Sequence, residues 1–340
     1  VVGLVFNDPI LKAIGVPSDV FSEASTYLSI YFWSLIFVMI YNMGSGILRS
    51  VGDSKRPLYF LIFSSVINIV LDFLFVKNFG FGVAGAGYAT LIAQAISAIM
   101  VMYVLMKTED SYKVVLKDIK FDKEILLKII KIGLPTGFQQ SIVSLSNVIV
   151  QSYINVYGAS VIAGYSVTIK IDGFVNLPLQ AFNMAITTFV GQNIGAKQYN
   201  RVKKGAYITT FLAMVTIGFF VVIMYFFGRD FIALFNQEKD VIDAGRLMQL
   251  TFLPFYIFLP INQVINGVLR GAGRSAVPMY VMIFSFVFLR QIYLFLVTKV
   301  TSDVVYVFLG WPTTWVVCSL IFIVYFFKVQ WLPQDKGAEA

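Results

Sequence analysis

Four charged side chains fall inside long apolar runs of this 340-residue chain: Asp72, Lys170, Asp172 and Arg290. A charge near the middle of a hydrocarbon layer costs about 2.5 to 3.5 kcal/mol or more, so each needs a partner or a task. Asp72 follows Asn68 by four residues, which puts both on one helix face a turn apart. The next apolar run opens Gly85-Ala86-Gly87-Tyr88-Ala89-Thr90, where small residues permit close helix approach and Thr90 adds a hydroxyl. Carboxylate, amide and hydroxyl oxygens suit Na⁺, and a carboxylate withdrawn from water equally suits a proton. A structural hydrogen-bond cluster is the alternative reading.

A second set of polar residues forms two stripes. Asp172, Asn176, Gln180, Asn183 and Thr187 recur at helical spacing around Pro178, and Gln140, Ser144, Asn147 and Gln151 do the same in the preceding run. A polar stripe on an apolar helix lines either a wet cavity or a polar helix contact. Both stripes are expected to line one central cavity, with interhelical hydrogen bonding as the alternative. Lys170 and Arg290 are expected to neutralise Asp172 across helices or to hold an anionic headgroup. Pro135, Pro178, Pro254 and Pro260 are expected to kink their helices.

The elements that carry these residues follow from composition. Apolar residues make up 58% of the chain and charged residues only 13%, so lipid is the solvent for most of it. Only helices and closed barrels satisfy their backbone in lipid, and the runs lack the period-two alternation of strands. A partial helix at 1–14 and about nine spans are expected, near 22–49, 56–77, 85–106, 126–156, 160–190, 205–227, 242–270, 277–298 and 303–327. The chain has no His, and its one Cys, Cys318, lies in an apolar run. That argues against a disulfide framework, a His or Cys metal cluster and His-assisted catalysis, and no cofactor is expected.

The strongest internal signal is a repeat. Gly46-Ile47-Leu48-Arg49-Ser50-Val51-Gly52-Asp53-Ser54, then Pro57-Leu58-Tyr59, returns as Gly267-Val268-Leu269-Arg270-Gly271-Ala272-Gly273-Arg274-Ser275, then Pro278-Met279-Tyr280, 221 residues on. Upstream, Ile10, Leu11 and Ile14 match Phe231, Ile232 and Phe235 in the same register. If the second unit begins near Glu124, its partner begins before Val1, and roughly a hundred residues, about three spans, are expected upstream. An even number of spans between the copies makes the units parallel repeats about an axis along the membrane normal. The expected boundaries are a first lobe at 1–107, an amphipathic linker at 108–124 within the basic stretch Lys107 to Lys131, and a second lobe with a short tail at 125–340.

Lys and Arg number 26 against 18 acids, and they sit in short loops rather than in a nucleic-acid-binding surface. Arg49 to Arg56, Lys107 to Lys131, Lys197 to Lys204, Arg270 with Arg274, and Lys328 with Lys336 fall in alternate loops. The positive-inside rule assigns these loops and the carboxy terminus to the cytoplasm.

The residues Leu48 to Lys55, Asn68 through Asp72, Gly82-Val83-Ala84-Gly85-Ala86, Gly133-Leu134-Pro135 and Val190-Gly191-Gln192-Asn193-Ile194-Gly195-Ala196 together resemble the multidrug and toxic compound extrusion (MATE) family. The resemblance spans nearly the whole chain. It implies an all-α integral membrane protein of two pseudo-symmetric bundles, six helices each, of which this chain holds the end of helix three through helix twelve. It also implies export of amphipathic, often cationic compounds in exchange for H⁺ or Na⁺. The family's amino-lobe site, an Asn and an Asp on helix five and a Thr on helix six, corresponds to Asn68, Asp72 and Thr90, which would bind Na⁺ if coupling uses sodium. Another branch places an acid eight residues after the Gly-Leu-Pro proline; Val143 stands there, which argues against coupling of that type.

The expected protein is a monomeric, multi-pass antiporter of a bacterial inner membrane that takes small amphipathic or cationic substrates and works by alternating access. Gln140, Asn147, Gln151, Lys170, Asp172, Asn176, Gln180, Asn183, Tyr256 and Arg290 are its expected cavity residues, with Tyr31, Tyr41 and Phe174 as further aromatic contacts. A flippase for lipid-linked oligosaccharides would instead use Lys170 and Arg290 on a phosphate. An intramembrane enzyme ranks lowest, because the two acids lie on separate helices and no nucleophile stands beside a base.

Overall fold

The computed structural model describes residues 2–332; Lys336 and the rest of the tail lie outside the described residues. The described residues are helical and form two units, divided between Lys120 and Phe121.

The first unit holds α1 (Val2–Val5), α2 (Asn7–Ile14), α3 (Phe21–Ser50), α4 (Lys55–Asp72), which runs on through a π-helical segment Phe73–Asn78, and α5 (Gly82–Lys107). α5 packs against both α3 and α4. Its small residues allow this: a Cβ added at Gly87 would lie 3.2 Å from Ile30 of α3, and one at Gly85 3.1 Å from Phe75. In lipid there is no hydrophobic force between helices, so van der Waals contact at such small residues is what holds them.

The second unit holds α6 (Lys123–Ile154), α7 (Ala159–Gly195), α8 (Tyr199–Ala233), α9 (Lys239–Phe252), α10 (Phe258–Gly271), α11 (Ala276–Ile283), a π-helical segment Phe284–Leu289, α12 (Arg290–Val300), α13 (Val304–Phe308) and α14 (Gly310–Lys328). α7 packs against α8, α9 and α10, and α10 packs in turn against α8 and α14. At the α7–α9 contact, a Cβ on Gly164 would lie 2.7 Å from the backbone nitrogen of Gly245.

Every expected span corresponds to helix. Among the described residues six segments are long and apolar enough to cross a membrane, and Lys239–Phe255 with Phe258–Gly271, bent by 59°, makes a seventh if taken as one span. α6 and α7 are not among them, because the polar stripes they carry lower their hydropathy. The prolines differ in effect. Pro135 and Pro178 lie inside continuous helices, Pro254 occupies a 3₁₀ turn at the 59° bend, and Pro260 sits in the first turn of α10. A first-turn proline loses no intrahelical bond, which is why Pro260 is accommodated without a break.

Residues 108–122 form no continuous amphipathic element; they are irregular apart from one 3₁₀ turn, Leu116–Asp118. Tyr112 and Val114 pack on the first unit's core, whereas Ile119 and Phe121 are exposed. α6 starts where the Asp122 carboxylate accepts from the backbone N–H groups of Glu124 and Ile125.

The repeated motif is the same helix ending built twice. Asp53 N–H donates to Leu48 O and Gly52 N–H to Arg49 O; 221 residues on, Arg274 N–H donates to Leu269 O and Gly273 N–H to Arg270 O. Gly52 and Gly273 both take positive φ, 91° and 75°, as this termination requires. In the second unit the motif also packs. A Cβ at Gly267 would lie 2.7 Å from the Asn183 carbonyl oxygen, and one at Gly271 2.5 Å from that of Thr187. Gly267→Ala is therefore expected to destabilise by about 1 to 3 kcal/mol. Gly218→Ala, in α8 with nothing within 4 Å of its added methyl, is expected to be neutral or mildly stabilising. Thermal unfolding of the two variants in detergent measures the difference.

Candidate functional site

In the first unit Asn68 and Asp72 lie on the last turns of α4, and Thr90 lies on α5, which packs beside it. Asn68 Nδ2 and Asp72 Oδ1 are both shielded from solvent and neither has a hydrogen-bond partner. Thr90 donates its hydroxyl to Ala86 O (3.0 Å), which leaves its oxygen lone pairs to accept. Asp72 immediately precedes the π-helical segment, a local widening that recurs at functional positions. Unsatisfied buried polar atoms cost free energy, so a group able to complete them gains by binding there. One carboxylate with an amide and a hydroxyl fits a proton or a monovalent cation, and no cluster of three acidic, His or Cys side chains is found among the described residues.

In the second unit Arg290 and Asp172 are both buried, yet neither Lys170 nor Arg290 forms an ion pair with Asp172. The expected charge pairing is corrected on this point: Tyr256 donates its hydroxyl to Asp172. Tyr256 is itself fully buried and stacks on Trp315 at 5.6 Å. Arg290 donates to Asn147 Oδ1 (3.0 Å) on α6 and to Thr314 Oγ1 (3.0 Å) on α14, and its guanidinium lies against Phe286 (5.1 Å) and Trp311 (5.4 Å). Lys170 is exposed, with its ammonium 6.0 Å from the Phe235 ring.

The stripes divide between the two readings. Asn183 donates to Gln263 O (2.7 Å) and Thr187 to Gly267 O (3.1 Å), so the C-terminal part of the α7 stripe is helix-to-helix hydrogen bonding onto α10. Asn176 and Gln151 bond within their own segments, to Asp172 O and Asn155 Oδ1. Gln140 and Gln180 are exposed. Phe174 is exposed too, and lines an apolar cavity of about 440 Å³ with Ile171, Phe220 and Phe235.

Thr314 and Trp315 are the participants that spacing does not reveal. They sit in Trp311-Pro312-Thr313-Thr314-Trp315, where a hydroxyl in an apolar run carries no charge to draw notice. Asn262 extends the network by donating to Trp315 O and accepting from Ser319.

Removing one partner of a buried charge costs more than removing both. Thr314→Val is expected to destabilise by about 1 to 3 kcal/mol, and the added change Arg290→Met to recover most of that loss. Thermal melting of the single and double variants provides the test.

The comparisons with known proteins agree with this architecture. A family model described as MatE matches residues 1–74 and 135–296. Probable multidrug resistance protein YoeA of Bacillus subtilis is 30% identical over 340 residues, covering 97% of this chain and 73% of that protein. Probable multidrug resistance protein YpnP of the same organism is 31% identical over 288 residues, covering 85% of this chain and 64% of that protein. The chain thus spans about two thirds to three quarters of the length of these relatives. In fold it matches the solved structure of a MOP superfamily transporter from Pyrococcus furiosus, with a TM-score of 0.89 at 22% identity over 95% of this chain and 73% of that one. With the family model matching well over half of its residues, this chain belongs to the MatE family of membrane transporters.

Proposed function

We propose that the protein exports small amphipathic or cationic compounds in exchange for H⁺ or Na⁺ by alternating access. The observation that carries this reading is the shielded Asp72 Oδ1, which has no hydrogen-bond partner, inside a membrane span. A carboxylate held there without a counterion binds a cation or a proton more favourably than it binds nothing, and its loading changes the charge of the span. Loading biases which conformation is preferred, and that bias couples ion entry to substrate exit. If the ion is Na⁺, Asp72, Asn68 and Thr90 supply its oxygens.

Substrate contact is assigned to the exposed members of the second unit. Gln140 and Gln180 offer hydrogen bonds, and Phe174 offers an aromatic face to apolar and cationic groups. Asn147, Asp172, Tyr256 and Arg290 support the site by holding it rigid, since their polar atoms are engaged with one another or with Thr314. The multidrug resistance names of the YoeA and YpnP relatives support a drug-like substrate class. The flippase reading loses its anchor, because Arg290 is buried between Asn147 and Thr314 instead of free to hold a phosphate. The basic loops containing Arg49 to Arg56, Lys107 to Lys131 and Lys197 to Lys204 are assigned to the cytoplasmic side of a bacterial inner membrane, with the protein acting as a monomer.

Asp72→Asn in the full-length protein is expected to abolish efflux driven by imposed pH or Na⁺ gradients in proteoliposomes while leaving the melting temperature within a few degrees of wild type. Undiminished gradient-driven efflux in that variant would overturn the assignment, and comparison of the two gradients in the wild type identifies the ion.

A further inference from the structure

Two cavities of the second unit adjoin along one face of α8. The first, about 480 Å³, opens beside the start of α8 and the end of α14, and Lys203, Lys328 and Trp331 are among its lining residues. The second, about 310 Å³, is bounded by Thr210 and Met214 of α8, Val264 and Val268 of α10 and Ile323 of α14. Phe326 and Phe327 line both, so the polar mouth and the apolar furrow adjoin at these two rings. On α8 the lining residues Tyr199, Lys203, Ala206, Thr210 and Met214 recur every three or four positions, which makes the track straight along the helix.

The mouth is one-signed. Among the described residues two lysines and no acid line it, and neither lysine forms an ion pair there. Trp331 is buried against Phe326, with ring centroids 5.0 Å apart, and donates its indole N–H to Phe326 O (3.0 Å). Its ring is thus a fixed wall at the point where polar lining gives way to apolar lining. Tyr207 meets Phe326 edge-on at 6.1 Å across the same junction.

A cationic mouth at a helix end, an aromatic wall at the boundary and an apolar furrow continuing along the span match one kind of molecule: a negatively charged head on a hydrocarbon tail. We propose that this track binds an anionic glycerophospholipid, its phosphate between Lys203 and Lys328 and one acyl chain in the furrow between α8 and α14. The site goes beyond the efflux reading and is independent of it. Only the leaflet follows from that reading: if the Lys197 to Lys204 loop is cytoplasmic, the lipid belongs to the cytoplasmic leaflet.

Native mass spectrometry of the purified protein, titrated in detergent with phosphatidylglycerol or phosphatidylcholine, tests this directly. The first phosphatidylglycerol adduct is expected to form at a concentration well below that for phosphatidylcholine. Lys203→Gln/Lys328→Gln is expected to weaken phosphatidylglycerol binding roughly 25-fold, at about fivefold per lysine, and to leave phosphatidylcholine binding nearly unchanged. The exposed pair Lys113→Gln/Lys117→Gln, outside the track, is expected to change neither. Equal affinity for the two lipids in the wild type would overturn the proposal. So would an equal loss in the two double variants, which would mean general surface charge, or displacement of the lipid by soluble glycerol phosphate at the same concentration, which would mean that the furrow contributes nothing. Efflux assays play no part in the readout, so a failure here leaves the transport reading standing.

Discussion

A polar group placed in hydrocarbon must find its partner inside the protein, and Arg290 is where the second unit meets that demand most heavily. The guanidinium ties α12 to Asn147 of α6 and to Thr314 of α14, while Phe286 and Trp311 cover its faces. Around it the aromatic side chains continue in contact: Trp311 with Tyr165 and Phe252, Trp315 with Phe252 and Tyr256. The adjoining π-helical segment is held by the same logic, since Ser146 of α6 donates to Phe286 O at 2.7 Å. Helices that gain nothing from excluding water are thereby fixed in rotation and height by hydrogen bonds that have no alternative acceptor in lipid.

How much of this could be read from residues alone depends on how local the cause is. The helices follow from run length and the exclusion of strands in lipid, and the paired helix endings follow from one glycine each, Gly52 and Gly273. The 59° bend lies at Pro254, although Pro135 and Pro178 break nothing, because a proline's effect depends on whether neighbours re-satisfy the freed carbonyl. The partner of Arg290 was not legible. Thr314 is 24 residues away, and its position opposite Arg290 is set by how α12 and α14 pack, which no periodicity encodes. The same holds for Asp172, whose neighbour in space is Tyr256, 84 residues on, rather than the nearby Lys170.

The polar stripe on α7 shows why spacing alone cannot separate a cavity from a contact. Asn183 and Thr187 continue the same face as Gln180, yet they meet the α10 backbone where Gly267 lets it approach, and Gln180 does not. The repeat motif therefore does two jobs in the second unit. Its second glycine-rich stretch ends α10, and its first glycine creates the close contact that turns part of a polar stripe into interhelical hydrogen bonding.

The 221-residue offset also brings out a contrast between the units. α4 begins at Lys55 and α11 at Ala276, 221 residues apart, and each runs into a π-helical segment with an embedded charge at its edge. Asp72 stands just before the first segment and Arg290 just after the second, and at the equivalent positions the other unit has Tyr293 and Ile69. The signs are opposite, and the number of bonds that hold each charge differs as well. Arg290 is held by two hydrogen bonds and two rings, whereas Asp72 Oδ1 has no partner. A charge tied to two neighbouring helices resists movement, because moving it breaks bonds that lipid cannot replace. Repetition thus supplied two copies of one helix, and divergence at a single turn left one with a guanidinium tied to two neighbouring helices and the other with a shielded carboxylate oxygen that has no partner.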